Sequence, residues 1–377
     1  MFSKMSINKK ILLVQLFSNG DCLYATTVAR QIKNDFPSCT LTWAIAPFCK
    51  SIIANNPYVD DIWEVDSVAK NDIIAYRRFK NQLKTIKSEK KYDEIFIIHN
   101  MDDNQALYDG CIRSGILAAY PNPITVPVTP VLILTEEEKG KAKQFATANS
   151  LDSYKTVVLF EYAPMSGQSK MSKEFALDIA ESIVQMEGVC IIMSSGNKIE
   201  HPNKAIIDGS QLNLRETAAL THYCHLLLGS SSGITWLSTS DGAKQLPMIQ
   251  LLNAYTYWVN PVSRDFERFG FSTEKLIELI DFDKKKIVEC VQLAINDFHQ
   301  AKKIFSQPIP LHFKTTERIV YNLLCYLQLN PIKKHIEVNQ KMYGFNLNFY
   351  IAIVKTFLIF PFKLFYNLVS KRVVKAK

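Results

Sequence analysis

Twice in this sequence, short apolar runs alternate with segments of helical period, and that repeated alternation leaves few folds open. The run at 10–17 (KILLVQLF) reads as a buried strand, ended by the turn signal Ser-Asn-Gly-Asp. Helical spacing follows over 22–34, with Pro37 beyond its end. Strands read at 40–46, 61–65 and 94–99, with a polar helix near 71–88. A stretch with four prolines, 120–130, interrupts the pattern, and a helix over 136–150 leads out of it. The same grammar then restarts, with strands at 156–161, 189–194, 225–229 and 246–252 and a helix near 172–186. Asn213 and Glu216 have the spacing of a capping box, and helices dominate 272–329.

Alternation of this kind specifies parallel sheets with helices on both faces. At 377 residues the chain is too long for one ordinary core. The expected architecture is α/β with two Rossmann-like, doubly wound domains, 1–150 and 151–330, facing across a cleft, plus a tail over 331–377. Ligands in such folds bind at the carboxyl ends of the strands.

The net charge of +8 has one source: residues 331–377 hold nine Lys/Arg and a single acid, Glu337, so the remainder is neutral. A nucleic-acid binder should carry basic residues on its folded body, so that class is disfavoured, and the charge points to an anionic surface. The eight cysteines are scattered without a C-x-x-C, and no secretory signal is visible. Reduced thiols in a cytoplasmic protein are therefore expected. The seven histidines lack metal-ligand spacing. The adjacent acids Asp102 and Asp103 read as solvated loop residues. No serine lies in a G-x-S-x-G elbow, and neither a G-x-G-x-x-G nor a phosphate-loop motif is present.

Three loops that follow strands can carry chemistry. In Ser18-Asn19-Gly20-Asp21, Asp21 reads either as a helix N-cap or as a carboxylate general base at a sheet edge. The loop 161–170 ends in hydroxyls and a lysine (Ser166, Ser169, Lys170), suited to a diphosphate before a helix. In Gly229-Ser230-Ser231-Ser232-Gly233, two glycines bracket three hydroxyls between a strand and a helix, so backbone can approach a phosphate.

Together these pieces resemble the heptosyltransferase-type glycosyltransferases, family 9, from about residue 9 to 300. The resemblance rests on 10–29 (KILLVQLFSNGDCLYATTVA), on Leu214–Leu220 (LRETAAL) with Gly229–Gly233, and on the N-P-x-V-D-like element Asn55-Asn56-Pro57-Tyr58-Val59-Asp60. It implies the GT-B fold and metal-independent, inverting transfer from a nucleotide-diphosphate sugar, with no cofactor. Asp21 would be the catalytic base, with Ser18, Asn19 and Gly20 on the acceptor side. Ser166, Ser169, Lys170, Ser231, Ser232 and Gly233 would hold the donor. The chain departs from the family pattern at Ser231, where Asp is usual, and at Trp236, where His is common. ADP-heptose and a lipopolysaccharide-type or lipid-linked glycan are the implied donor and acceptor. Two other readings stay open: a scaffold of the same fold that binds sugar nucleotides without transfer, and a two-domain sugar-nucleotide epimerase.

The tail over 348–369 is apolar but contains Lys355, Lys363 and Pro361. Lys355, Thr356, Lys363, Asn367 and Ser370 fall within one helical arc of roughly 120°. An amphipathic helix on the inner face of the cell membrane is expected, its flanking Lys and Arg meeting anionic lipid.

Overall fold

The computed structural model describes residues 8–163, 171–252, 261–280, 282–311 and 313–375. Its first sheet holds β1 (Lys10–Val14), β2 (Thr40–Ile45), β3 (Asp61–Glu64) and β4 (Glu94–Ile97) in the order β3-β2-β1-β4. The second holds β5 (Thr156–Glu161), β6 (Val189–Ser194), β7 (Ile206–Asp208), β8 (Leu226–Gly229), β9 (Met248–Leu251) and β10 (Leu276–Leu279), ordered β10-β9-β8-β5-β6-β7. Every pairing is parallel. The second sheet thus has the doubly wound order, reversing direction between β5 and β8, while the first reverses between β1 and β4. Every residue of β5 is buried, which is why it reads as an unbroken apolar run rather than an alternating one.

The first sheet carries α1 (Asn19–Asp35), α2 (Ile73–Ser88) and α3 (Ile112–Ala118), and α4 (Glu136–Ala148) leads out of it. The second carries α5 (Lys173–Ile183), α6 (Leu214–Leu220), α7 (Gly233–Leu237), α8 (Val262–Phe269), α9 (Lys284–Asn296) and α10 (Phe298–Phe305). A last group comprises α11 (Lys314–Cys325), α12 (Leu329–Tyr343) and α13 (Leu347–Lys375). Two short strands escape the sequence reading. β7 has three residues, and β10 is a four-residue buried strand, LIEL, inside a stretch read as helical. Periodicity cannot distinguish runs that short from buried helix.

One apolar core spans both halves. Ile11 and Leu13 of β1 and Val28 of α1 belong to the same buried cluster as Leu159, Ile192 and Leu227 of the second sheet. Two buried arginines reinforce the junction. Arg215 of α6 reaches Glu138 of α4 at 2.5 Å and the Ser51 carbonyl of the first half at 3.2 Å. Arg113 of α3, fully buried, pairs with Asp265 of α8 at 3.1 Å.

The last three helices return to the first half. Gln328, just before α12, donates to Asp102 at 3.0 Å, and Asn339 donates to the Tyr108 carbonyl at 3.1 Å. Asp102 is buried and paired with Arg77 and Lys80, so it is not the solvated loop residue expected, whereas Asp103 is exposed as expected and pairs with Lys80. Along α13, Phe349, Ala352, Ile353 and Thr356 are buried in a cluster with α11 or beside it. Lys355 pairs with Glu317 of α11, and the Lys363 ammonium lies 4.5 Å from the Tyr321 ring centre. Lys355 and Lys363 of the expected polar arc therefore contact α11; Asn367 and Ser370 lie outside the residues whose side chains are described. Val354, Phe357, Leu358, Phe362, Phe365 and Tyr366 face outward. The eight cysteines are all free, and seven of them are buried.

Candidate active site at the two sheet edges

The chain leaves β1 through Gln15-Leu16-Phe17 and turns at Ser18, whose φ of 69° lies in the left-handed region. That turn starts α1 at Asn19, earlier than helical spacing alone indicates. Ser18 is the N-cap residue and Asp21 lies inside the first turn, so the helix-cap reading of Asp21 does not hold. Among the described residues nothing donates a hydrogen bond to the Asp21 carboxylate. Burial pushes its pKa up to about 7, opposed by the charge of Lys70 in the loop before α2. A carboxyl group poised near neutrality at the end of a central strand is suited to taking a proton. Ser18, Asn19, Gly20 and Asp21 are half-buried side by side at this edge.

His99 leaves β4 on the other side of the same reversal point. It packs against the rings of Phe17 and Tyr76, with centroids 5.2 Å and 5.3 Å away. Burial pushes its pKa down to about 3, so it is a neutral imidazole, and among the described residues neither ring nitrogen has a partner.

The second sheet's reversal point lies between Glu161, ending β5, and Gly229, ending β8. A Cβ on Gly229 would come within 2.8 Å of Thr235 Oγ1 and 3.1 Å of Gln250 Nε2, so any side chain there would force these buried neighbours to move. Ser231 adopts φ 52°, and its N–H donates to Gln250 Oε1 at 2.6 Å. Ser230, Ser231 and Ser232 are all buried, and Gly233 opens α7 half-buried.

The sequence reading missed Glu161. Burial pushes its pKa up to about 7, against the N–H groups of Ile234, Ser230 and Thr235 and the Thr235 hydroxyl 3.3 Å away, all of which favour the charge. This turn therefore has a carboxylate, supplied from β5 rather than from position 231. The only sequence signal is an acid closing a buried strand. Ser166, Ser169 and Lys170 lie outside the described residues.

Glu161 makes stability pH-dependent in a defined direction. Its native pKa lies above the ordinary 4.5, so the native state holds the proton longer than the unfolded chain. Stability is then lost as pH rises from about 4.5 through about 7. Glu161→Gln mimics the protonated form, so its melting temperature should gain on the wild type as pH rises from 5 to 8. A constant difference across that range would contradict the assignment.

The two edges meet through α1 and α7. A methyl group on Gly20 would sit 3.7 Å from Trp236 Cδ1, and Trp236 packs edge-on against Tyr24 at 5.2 Å. No sequence-family profile and no curated protein matches the chain. Solved structures do. The glycosyl transferase family 9 structure from Veillonella parvula is 16% identical, with 76% of this chain and 90% of that one covered at a TM-score of 0.52. E. coli ADP-heptose lipopolysaccharide heptosyltransferase II is 14% identical, with 77% and 99% covered at a TM-score of 0.50. With its two parallel sheets joined through α1 and α7, this chain has the GT-B fold of the family 9 glycosyltransferases.

Proposed function

We propose that the protein is an inverting, metal-independent glycosyltransferase that moves a sugar from a nucleotide-diphosphate donor, in the first instance ADP-heptose, to a lipid-linked glycan. The observation that carries this reading is Asp21: a carboxyl of pKa about 7, with no hydrogen bond to it among the described residues, at the reversal point of the first sheet. The deprotonated carboxylate accepts the proton of an acceptor hydroxyl as that oxygen attacks the anomeric carbon from the face opposite the diphosphate. The bond to the diphosphate breaks in the same displacement, which inverts the configuration. The Gly229–Gly233 turn and the loop holding Ser166, Ser169 and Lys170 receive the leaving diphosphate, whose growing charge is stabilised by lysine and oriented N–H groups.

The test has two stages. A thermal-shift screen of nucleotide sugars identifies the donor, since a ligand that binds the native state raises the melting temperature by mass action. Release of nucleotide diphosphate is then measured with and without glycan acceptor. Release only with acceptor supports transfer. Stabilisation without release indicates a binding or scaffold protein. Isomerisation of the donor sugar with no acceptor present indicates an epimerase.

We further propose that α13 attaches the protein to an anionic membrane. Leu347–Tyr366 is long and apolar enough to cross a bilayer, with a mean hydropathy of 1.6. One flank is docked on α11, however, so the helix would lie along the surface with Phe357, Phe362, Phe365 and Tyr366 inserted. In the full-length chain, Phe362→Glu with Phe365→Glu should abolish co-sedimentation with vesicles rich in anionic lipid. Unchanged sedimentation would refute this role for α13.

A further inference from the structure

Trp236 belongs to the donor-side helix α7, yet it packs on the helix that carries Asp21. Its indole covers the i, i+4 face formed by Gly20 and Tyr24 in the first two turns of α1. Its other neighbours form a cage. The Arg113 guanidinium lies 4.7 Å from the Tyr24 ring centre, 5.9 Å from Trp236, 5.3 Å from Phe269 and 5.0 Å from Phe271. Asp265 closes the cage on Arg113 at 3.1 Å and also accepts a hydrogen bond from the Cys111 thiol at 3.0 Å. Phe266, on the helix of Asp265, packs on Trp236 at 6.5 Å. Elements of both halves, α1 and α3 from one and α7 and α8 from the other, thus converge on this indole.

From this arrangement we infer that Trp236 is a positioning residue: held by the Arg113 cage, it clamps the donor-side turn against the start of α1 and shields Asp21 from water. The inference rests on the reading of Asp21 as the base and adds what tunes it. A carboxyl group on a first helical turn gains from the helix dipole when charged, so a raised pKa there requires exclusion of water. Trp236 supplies apolar cover at the residue next to Asp21. Among the described residues the groups facing Asp21 are few. Lys70 opposes the shift from the loop before α2, and Cys22 is the neighbouring titratable group on α1, linked in turn to Cys49 of the turn after β2. None of these is removed by a change at position 236.

The test uses the full-length protein labelled with 13C at the aspartate carboxyls. The Asp21 resonance is assigned by its loss in Asp21→Asn. It should titrate near 7 in the wild type, within about half a unit of that in Trp236→Phe, and at least about one unit lower in Trp236→Ala, a tenfold change in proton affinity. Circular dichroism and melting temperature report whether each variant folds. A role confined to packing would lower the melting temperature of Trp236→Ala and leave the Asp21 midpoint in place, which overturns the inference. If Trp236→Ala does not fold, Trp236→Leu, which keeps apolar volume but covers less of α1, should still lower the midpoint. An unmoved midpoint there overturns the inference equally. The base assignment is judged separately, by sugar transfer in Asp21→Asn. Retained transfer would remove that assignment without touching the titration result, and an unmoved midpoint would remove only the role of Trp236.

Discussion

Replacing Asp21 by Asn is expected to cut sugar transfer by roughly 10²–10⁴-fold, the usual contribution of a positioned general base, while leaving the fold intact. The amide is close to isosteric, and among the described residues the carboxylate accepts no hydrogen bond that the change would break. Stability should move the other way. The folded pKa of about 7 lies above the ordinary 3.8, so holding the charged form in place costs stability as pH rises between those values. Asp21→Asn should therefore melt at or above the wild-type temperature at pH 8, with the difference shrinking towards pH 4. In the wild type, transfer under limiting substrate should rise with pH through about 7, where the base loses its proton. An Asn variant transferring at near wild-type rate would sink the assignment.

The second large effect lies at Arg113. Its charge and that of Asp265 are both out of reach of water, and each offsets much of the cost of burying the other. Removing one partner of such a pair typically costs about 3–5 kcal/mol, because the survivor stays buried and uncompensated. Arg113→Ala should show a loss of that order in chemical denaturation at pH 8. The loss should ease at pH 5, since burial already holds the Asp265 carboxyl above its ordinary range and loss of the arginine raises it further. Arg113→Met combined with Asp265→Leu should cost less than the single change, because no lone charge is left behind. Equal losses in the single and double variants would show that the aromatic packing around the guanidinium, rather than charge pairing, carries the stability.

Much of the scaffold was legible because buried parallel strands write themselves as uninterrupted apolar runs. TVVLFE is a strand in the structure as in the sequence, and the run read as a strand at 10–17 is one over its first five residues, KILLV. The Ser-Asn-Gly-Asp turn was legible as a candidate site, but its chemistry was not. Whether Asp21 caps a helix or stands free depends on where α1 begins, and Ser18 settles that through its left-handed backbone. Glu161 and His99 were hidden for a related reason. Each owes its shifted proton affinity to burial, which arises from non-local packing that no sequence window contains. Arg113 and Asp265 are likewise unremarkable in sequence until α3 and α8 are brought together. The contacts that Lys355 and Lys363 of α13 make with α11 were not legible, because they depend on Glu317 and Tyr321.

The return of α11, α12 and α13 to the first half has a consequence for how the chain is made. Ala106 and Tyr108, near the end of the first sheet's unit, receive His335 and Asn339, which leave the ribosome only after the whole second sheet. Domains ordinarily fold in order of synthesis, the first while the second is still emerging. Here the first half waits, with Tyr108 and its surroundings uncovered, until the last sixty or so residues arrive. A nascent chain stalled after β10 should accordingly be protease-sensitive around residues 102–111, and release of the complete chain should close that window.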